Sequence, residues 1–182
     1  MRSRGLLAID LDGVLLDEES SWEIFHRLLG TAGPEREHNM GLFFSGKIDY
    51  ETWARLDTGL WVGKEIRPID DYLVDLRASE GAEDLVEAMK ALGVMTVIVS
   101  TGISRIALRV GVGLGIDHIV SNDVEVSDGR ITGVVKVRCP FHGKGSPMGR
   151  DVSGLVQRVS QLAPTFRNSG LRVSVGALRV LL

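Results

Sequence analysis

The chain has 182 residues, 44% of them hydrophobic, with a formal net charge of -3 and an isoelectric point near 5.8. This length can bury one sizeable core and a modest second lobe but not two full domains, so one domain with an insertion is expected. The charge balance, with no dense basic run, disfavours nucleic-acid binding. The single cysteine, Cys139, cannot form an internal disulfide, and the apolar run near the amino terminus is too short for a membrane span. Together these features predict a reducing, cytoplasmic location away from membranes.

The first predicted element is a buried parallel strand over residues 5–9, which ends in acid and glycine. Open α/β sheets place their chemistry at the carboxyl ends of such strands. Residues 20–78 then lose the strand pattern and predict a small helical insertion. Its apolar side chains recur at helical spacing in two groups: Trp22, Phe25, Leu28 and Leu29, then Trp53, Leu56 and Leu60.

From residue 79 the alternation of helix and strand resumes. The predicted elements are a helix over 83–92 with Leu85, Met89 and Leu92 inward, a strand over 94–99, a helix over 103–114 and a strand over 116–120. Two β-branched runs, 124–126 and 131–135, flank an Asp-Gly pair that is typical of hairpin turns. The pattern predicts a doubly wound α/β core with a parallel sheet, formed by residues 1–19 and 79–182, with 20–78 as a helical cap.

Two carboxylates, Asp10 and Asp12, follow the first strand directly, and Gly13 turns the backbone after them. Such a pair suits covalent phosphoryl transfer, in which one carboxylate attacks phosphorus and the other exchanges a proton with the leaving oxygen and then with water. The pair would also attract a hard cation such as Mg²⁺. Spacing alone gives equal weight to a loop that carries two solvated acids.

Three segments in order resemble the motifs of the haloacid dehalogenase superfamily. Residues 9–15 resemble the first motif, 97–102 the second and 142–145 the third. The resemblance implies Asp10 as nucleophile, Asp12 as acid and base, and Mg²⁺ held by Asp10 and the backbone carbonyl of Asp12. It further implies that the phosphoryl group is held by Ser100, by the backbone at Thr101 and Gly102, and by Lys144, which neutralises charge. Taken singly, Ser100 reads as a helix N-cap and Lys144 as a surface lysine.

Details of these segments select a branch within the superfamily. An acid at the position of Asp12 is typical of its phosphatases and phosphomutases and is missing from members that dehalogenate carbon. Residues 46–55 and 123–135 resemble the cap segment and hairpin of the phosphoserine phosphatase-like branch. That resemblance implies substrate contacts by Glu19 (ammonium) and Arg55 (carboxylate), and hence a small phosphorylated metabolite such as O-phosphoserine. The alternative for these two residues is a solvated loop acid and a helix-surface cation.

The resemblance fails after about residue 145. The fourth motif should supply two acids, but Ala177 and Leu181 stand near their expected places, and Asp151 is the last carboxylate side chain. Residues 146–182 also carry five arginines and one acid, whereas 1–145 carry 16 basic and 23 acidic side chains. A truncated or frame-altered tail and an unusual native one both fit this shift. Two rival functions follow: a phosphatase or phosphomutase for another small phosphometabolite, and a catalytically silent protein that binds a phosphorylated ligand.

Overall fold

The structure, a computed structural model, describes residues 5–17 and 20–141. Its elements, in chain order, are β1 (Gly5–Ile9), α1 (Ser21–Leu28), α2 (Pro34–Phe44), α3 (Tyr50–Gly59), α4 (Arg67–Asp75), α5 (Ala82–Ala91), β2 (Val94–Ile103), α6 (Ser104–Leu114), β3 (His118–Ser127) and β4 (Arg130–Lys136). The predictions for Glu19, Lys144 and the tail from residue 146 lie outside the described residues.

The four strands form one sheet in the order β1-β2-β3-β4. The pairs β1–β2 and β2–β3 are parallel, with Ala8 beside Val97 and Ile98 beside Ile119. Helices connect these parallel strands, as parallel pairing requires. The last pair, β3–β4, is antiparallel. The predicted α/β core with a parallel sheet is therefore confirmed, with an antiparallel strand at its edge.

The predicted third strand and the first strand of the hairpin are one continuous element, β3. Its first half pairs with β2 as far as Asn122, and its second half pairs with β4 from Asp123 onward. The turn is the predicted Asp-Gly pair, in which Asp128 has φ 49° and Gly129 has φ 73°. Two successive residues with positive φ match the twist that a tight hairpin needs. The break expected after residue 120 was wrong, because Asn122 is buried and its side chain is hydrogen-bonded.

Four helices, α1 to α4, occupy the segment predicted to be a helical insertion. They enclose an aromatic cluster in which Trp61 packs on Phe25 with ring centroids 5.1 Å apart and on Trp22 at 5.6 Å. The segment is also attached to the sheet side of the molecule. The Gly63 amide donates to the Ile131 carbonyl of β4 at 2.8 Å, and Arg105 of α6 forms two hydrogen bonds with Asp70 of α4.

The sheet separates two buried apolar clusters. The larger runs from the face under α6 into the aromatic side chains of the insertion. The smaller lies on the opposite face and contains Leu6, Val97, Val99 and Cys139. Successive side chains of a strand point to opposite faces, which puts Ile98 in the first cluster and its two neighbours in the second. Within residues 5–17 and 20–141, every helix is too short or too polar to cross a bilayer.

Two helix faces differ from the prediction. In α5 the buried side chains are Ala82 and Val86, whereas Leu92 caps the helix and is 56% exposed. In α3, Leu56 lies on the exposed side. Spacing alone cannot choose between adjacent apolar stripes of a short helix.

Candidate active site

A tight turn after β1 presents the two carboxylates. The Leu11 carbonyl accepts hydrogen bonds from the amides of Val14, Leu15 and Leu16 at 3.2, 3.0 and 3.0 Å. The Leu11 side chain is fully buried and anchors the turn in the core. Asp10 and Asp12 on either side of it therefore lie at the carboxyl end of the strand, as predicted.

The two acids have different environments. Asp10 is exposed, and its Oδ1 accepts a hydrogen bond from the Leu11 amide at 2.7 Å. Asp12 is largely buried, which raises the pKa of its carboxyl to about 7; the backbone and hydroxyl of Ser21 lower this pKa in part, and the charge of Asp10 raises it. A carboxyl that is half protonated near neutral pH can both give and take a proton. The alternative of two solvated acids is therefore wrong for Asp12.

The two oxygens of Asp12 also differ. Oδ2 accepts a hydrogen bond from Ser21 Oγ at 3.1 Å. Oδ1 is shielded from solvent and has no hydrogen-bond partner among the described residues. Such an orphaned polar atom is costly unless a ligand or water completes it.

Ser100 lies inside β2 and is 2% exposed. Its Oγ accepts a hydrogen bond from the Gly102 amide at 3.0 Å. Because an amide can only donate, the hydroxyl hydrogen of Ser100 is left to point at another acceptor. The N-cap alternative is wrong, since α6 begins at Ser104 and its N-cap is Ile103.

Gly102 is the point where the first two motifs meet. A Cβ atom added there would lie 2.3 Å from Ser21 Oγ, 2.8 Å from Asp12 Oδ2 and 3.2 Å from Ser100 Oγ. These distances leave no room for a side chain, so a glycine is required for this approach of backbone to acid. The structure thus brings together Asp12, Ser100 and Gly102, as the motif order predicts.

The carbonyl of Thr101 accepts three hydrogen bonds. The donors are Trp22 Nε1 at 3.1 Å, the Tyr50 hydroxyl at 2.6 Å and Asn122 Nδ2 at 2.7 Å. Because a peptide unit is planar, donors on the Thr101 oxygen also set the direction of the Gly102 amide on its opposite side. Two insertion residues and one strand residue therefore orient the backbone predicted to hold phosphate.

Asn122 connects this backbone to the segment that leads towards the third motif. Its side chain is fully buried, and Oδ1 accepts hydrogen bonds from the amides of Arg138 and Cys139, each at 2.8 Å. Burial lowers the tendency of Tyr50 beside it to ionise, which raises the pKa of that hydroxyl.

No motif predicts a role for Ser21 or Asn122, and none predicts that Trp22 and Tyr50 contact the second motif. Asn122 stands with Ser121 and Asp123 in a polar interruption between two β-branched runs, and this interruption is the one local signal that marks its segment. Arg55 lies on the exposed side of α3, where its guanidinium donates to Thr52 Oγ1 at 3.3 Å. Whether it contacts substrate stays a prediction.

Two oxygen donors at the end of β1 fit a divalent cation in part. Among the described ranges, 5–17 and 20–141, no three His, Cys, Asp or Glu side chains lie close enough together to hold a metal ion. Asp10 and the backbone of Asp12 offer hard oxygen ligands of the type Mg²⁺ takes, and such a site usually keeps several waters and substrate oxygens as ligands. These residues therefore suit Mg²⁺ only as part of a site that phosphate and water complete.

Comparisons with known proteins find phosphatases similar to this chain in sequence and in fold. The phosphoserine phosphatase of Lactococcus lactis is 29% identical over 133 residues, which are 73% of this chain and 61% of that protein. The phosphoserine phosphatase of a Polaromonas species is 33% identical over 70% of this chain and 54% of that protein. A solved structure described as a phospho-aspartyl intermediate analogue of phosphoserine phosphatase matches with TM-score 0.62 and 26% identity, covering 74% of this chain and 64% of that chain. A substrate-bound phosphoserine phosphatase complex shares the fold with TM-score 0.70 at 21% identity, over 94% of this chain and 75% of that one.

The chain spans only part of several curated relatives, from 32% to 63% of their length in the first five matched. The profile of the family described as haloacid dehalogenase-like hydrolase matches residues 7–148, which include all three motifs. The chain belongs to the haloacid dehalogenase-like hydrolase family.

Proposed function

We propose that this chain is a phosphate-monoester phosphatase that works through an aspartyl-phosphate on Asp10. The observation that carries the proposal is Asp12, a largely buried acid with a pKa near 7 beside an exposed carboxylate. A nucleophile and a proton donor with separated environments are what two-step phosphoryl transfer requires. The relatives described above are phosphoserine phosphatases, which supports the same reaction class.

In the first step, an Asp10 oxygen attacks phosphorus while the ester P–O bond breaks and Asp12 gives its proton to the leaving oxygen. In the second, Asp12 takes a proton from water, the water oxygen attacks phosphorus, and the Asp10–phosphorus bond breaks. Ser100, the backbone at Thr101 and Gly102, and Lys144 hold the phosphoryl oxygens throughout. Mg²⁺, held by Asp10 and the backbone carbonyl of Asp12, would offset the negative charge of nucleophile and phosphate.

The proposed substrate is a small phosphorylated metabolite, with O-phosphoserine first because of Glu19 and Arg55. A second candidate is another small phosphometabolite, and one observation favours it. Arg55, the proposed contact for the carboxylate of O-phosphoserine, contacts Thr52 on the exposed side of α3 instead. The indole nitrogen of Trp53, a hydrogen-bond donor, is buried without a partner among the described residues. With either substrate, we propose a reducing cytoplasmic location, in which Cys139 stays a free thiol.

The test is hydrolysis of p-nitrophenyl phosphate, O-phosphoserine and a panel of sugar phosphates, each with Mg²⁺ and with EDTA. Asp10→Asn should abolish turnover, and Asp75→Asn, an exposed acid of α4, is the matched control that should not. Retained hydrolysis by Asp10→Asn would remove the covalent mechanism. Faster cleavage of sugar phosphates than of O-phosphoserine would favour the second candidate, and no turnover of any ester by the unaltered chain would favour the silent binding protein.

A further inference from the structure

Ser21, which no motif singles out, connects three parts of the molecule. It is the first residue of α1, and its side chain is fully buried. Its Oγ accepts a hydrogen bond from the Ile103 amide of β2 at 3.0 Å and donates to Asp12 Oδ2 at 3.1 Å. The insertion, the strand of the second motif and the proposed acid therefore meet at one hydroxyl.

The direction of these bonds follows from the chemistry of the groups. A backbone amide can only donate, so Ser21 Oγ must accept from Ile103. The single hydrogen of the hydroxyl is then available for Asp12. The Ser21 hydroxyl therefore joins Asp12 to the backbone of β2 through two hydrogen bonds of fixed direction.

We propose that Ser21 is a positioning residue that holds Oδ2 of Asp12 as an acceptor and so assigns proton transfer to Oδ1. This inference rests on the phosphatase function proposed above. When Asp12 is protonated, an Oδ2 already engaged by Ser21 keeps its lone pairs towards the donor, and the hydrogen lies on Oδ1. Oδ1 is also the oxygen that lacks a partner among the described residues, so its hydrogen is not engaged by any of them and is left for the leaving-group oxygen.

The close approach of the backbone at Gly102 also restricts the position of the Asp12 carboxyl. A Cβ atom there would contact both Ser21 Oγ and Asp12 Oδ2, so the backbone at residue 102 closes one side of the Oδ2 environment. Oδ2 of the carboxyl is therefore confined by the Ser21 hydroxyl and by the backbone at residue 102.

Alkyl and aryl phosphate esters differ in how strongly their cleavage depends on the Asp12 proton. Cleavage of an alkyl phosphate breaks a P–O bond to a strongly basic alkoxide, which needs the Asp12 proton as the bond breaks. A p-nitrophenolate group leaves as a stable anion without that proton. A residue that orients the acid should therefore matter for alkyl esters, and a residue that only supports the fold should matter equally for both.

The experiment is single-turnover phosphorylation of Asp10 by O-phosphoserine and by p-nitrophenyl phosphate, in the unaltered protein and in Ser21→Ala. We expect a loss of about 100-fold with the alkyl ester, at the low end of what general acid catalysis supplies, and less than about 3-fold with the aryl ester, at unchanged substrate affinity. Ser21→Thr, which keeps the hydroxyl, should restore most of the rate with the alkyl ester. Equal losses with both esters, or no loss, would overturn the proposal.

The control is Ser121→Ala, because Ser121 is also a buried serine (2% exposed) but hydrogen-bonds Ser104 at 3.0 Å. It should leave the ratio of the two rates unchanged. A crystal structure of Ser21→Ala gives an answer that does not need turnover: the Asp12 carboxyl should rotate away from its present position, and an unmoved carboxyl contradicts the role of Ser21. If the unaltered chain cleaves neither ester, the proposed phosphatase fails, and the crystal structure still decides whether Ser21 positions Asp12.

Discussion

Asp12 couples the stability of the protein to pH. Its pKa is about 7 in the folded chain and 3.8 as the ordinary value, so the folded state binds the extra proton between these two values. The contribution of this group to stability is therefore fully present below pH 3.8 and is lost as pH rises towards about 7. The proposed function thus depends on an acid whose ionised form the fold disfavours.

We expect Asp12→Asn to remove this dependence. In EDTA, the unfolding free energy of the unaltered protein relative to Asp12→Asn should fall by about 2 to 3 kcal/mol between pH 5 and pH 8, from the energy of a pKa difference of this size. Urea unfolding of both proteins at the two pH values measures it. A difference that does not change with pH would show that the Asp12 carboxyl has an ordinary pKa.

The substitution Gly102→Ala tests whether activity depends on the close contact between the first and second motifs. Gly102→Ala should reduce kcat/KM by more than about 100-fold while costing about 1 to 3 kcal/mol of stability, because the added methyl must displace Ser21 or Asp12. The matched control is Gly41→Ala in α2, where an added Cβ meets nothing within 4 Å. That control should keep full activity and gain about 0.4 to 1 kcal/mol. An active Gly102→Ala would mean that the site tolerates a wider gap than the structure has.

At the residue scale, local motifs single out the groups proposed to carry chemistry but leave out the groups that contact them. Asp12 and Ser100 stand in local motifs whose order can be read directly. Ser21 and Asn122 act through partners about 80 and 20 residues away, such as Ile103 for Ser21 and Thr101 for Asn122. Such roles depend on the folded arrangement and leave no mark on local spacing.

Among the elements, the helices of the insertion are joined by a buried polar network. His26 of α1 hydrogen-bonds Asp57 of α3 at 3.0 Å and Thr31 at 2.8 Å, and Asn39 of α2 donates to Asp57 at 2.9 Å. Three helices therefore share one carboxylate. The network therefore holds α1, α2 and α3 together within the insertion.

Asp57→Ala should destabilise the protein by about 3 to 5 kcal/mol, because it leaves His26 and Asn39 buried without their shared acceptor. Asp49→Ala on the same helix is the comparison. Asp49 is the exposed N-cap of α3 and accepts from the Thr52 amide at 2.8 Å, so its loss should cost clearly less than the loss of Asp57. Urea unfolding measures both, and equal costs would show that the buried network contributes no more than a cap.

The elements themselves follow well from periodicity and turn chemistry, and their exceptions have physical causes. The Asp-Gly pair predicts the hairpin because both residues adopt positive φ. The polar residues 121–123 indicate a break, yet β3 continues through them because the Asn122 side chain finds buried partners. Tertiary hydrogen bonds to one buried side chain thus keep the strand continuous where the local sequence indicates a break.

At the scale of the molecule, the insertion and the sheet are bonded to each other at the proposed site. Trp22 and Tyr50 of the insertion donate to Thr101 of β2, and Ser21 bonds the neighbouring Ile103. A further contact between the two parts is the ion pair of Asp70 in α4 with Arg105 in α6. These contacts predict that the insertion and the sheet unfold together rather than as separate units.

The chain contains its own probes for this prediction. All three tryptophans lie in the insertion, and the single cysteine, Cys139, lies buried against the opposite face of the sheet. Tryptophan fluorescence and Cys139 labelling should therefore give the same urea midpoint. Tyr50→Phe, which deletes the two hydrogen bonds that this hydroxyl makes with Thr101 and Asn122, should lower both midpoints together by the equivalent of about 1 to 3 kcal/mol. A fluorescence change that precedes labelling would show instead that the insertion opens on its own, and the bonds to Thr101 would then be too weak to hold the proposed site closed.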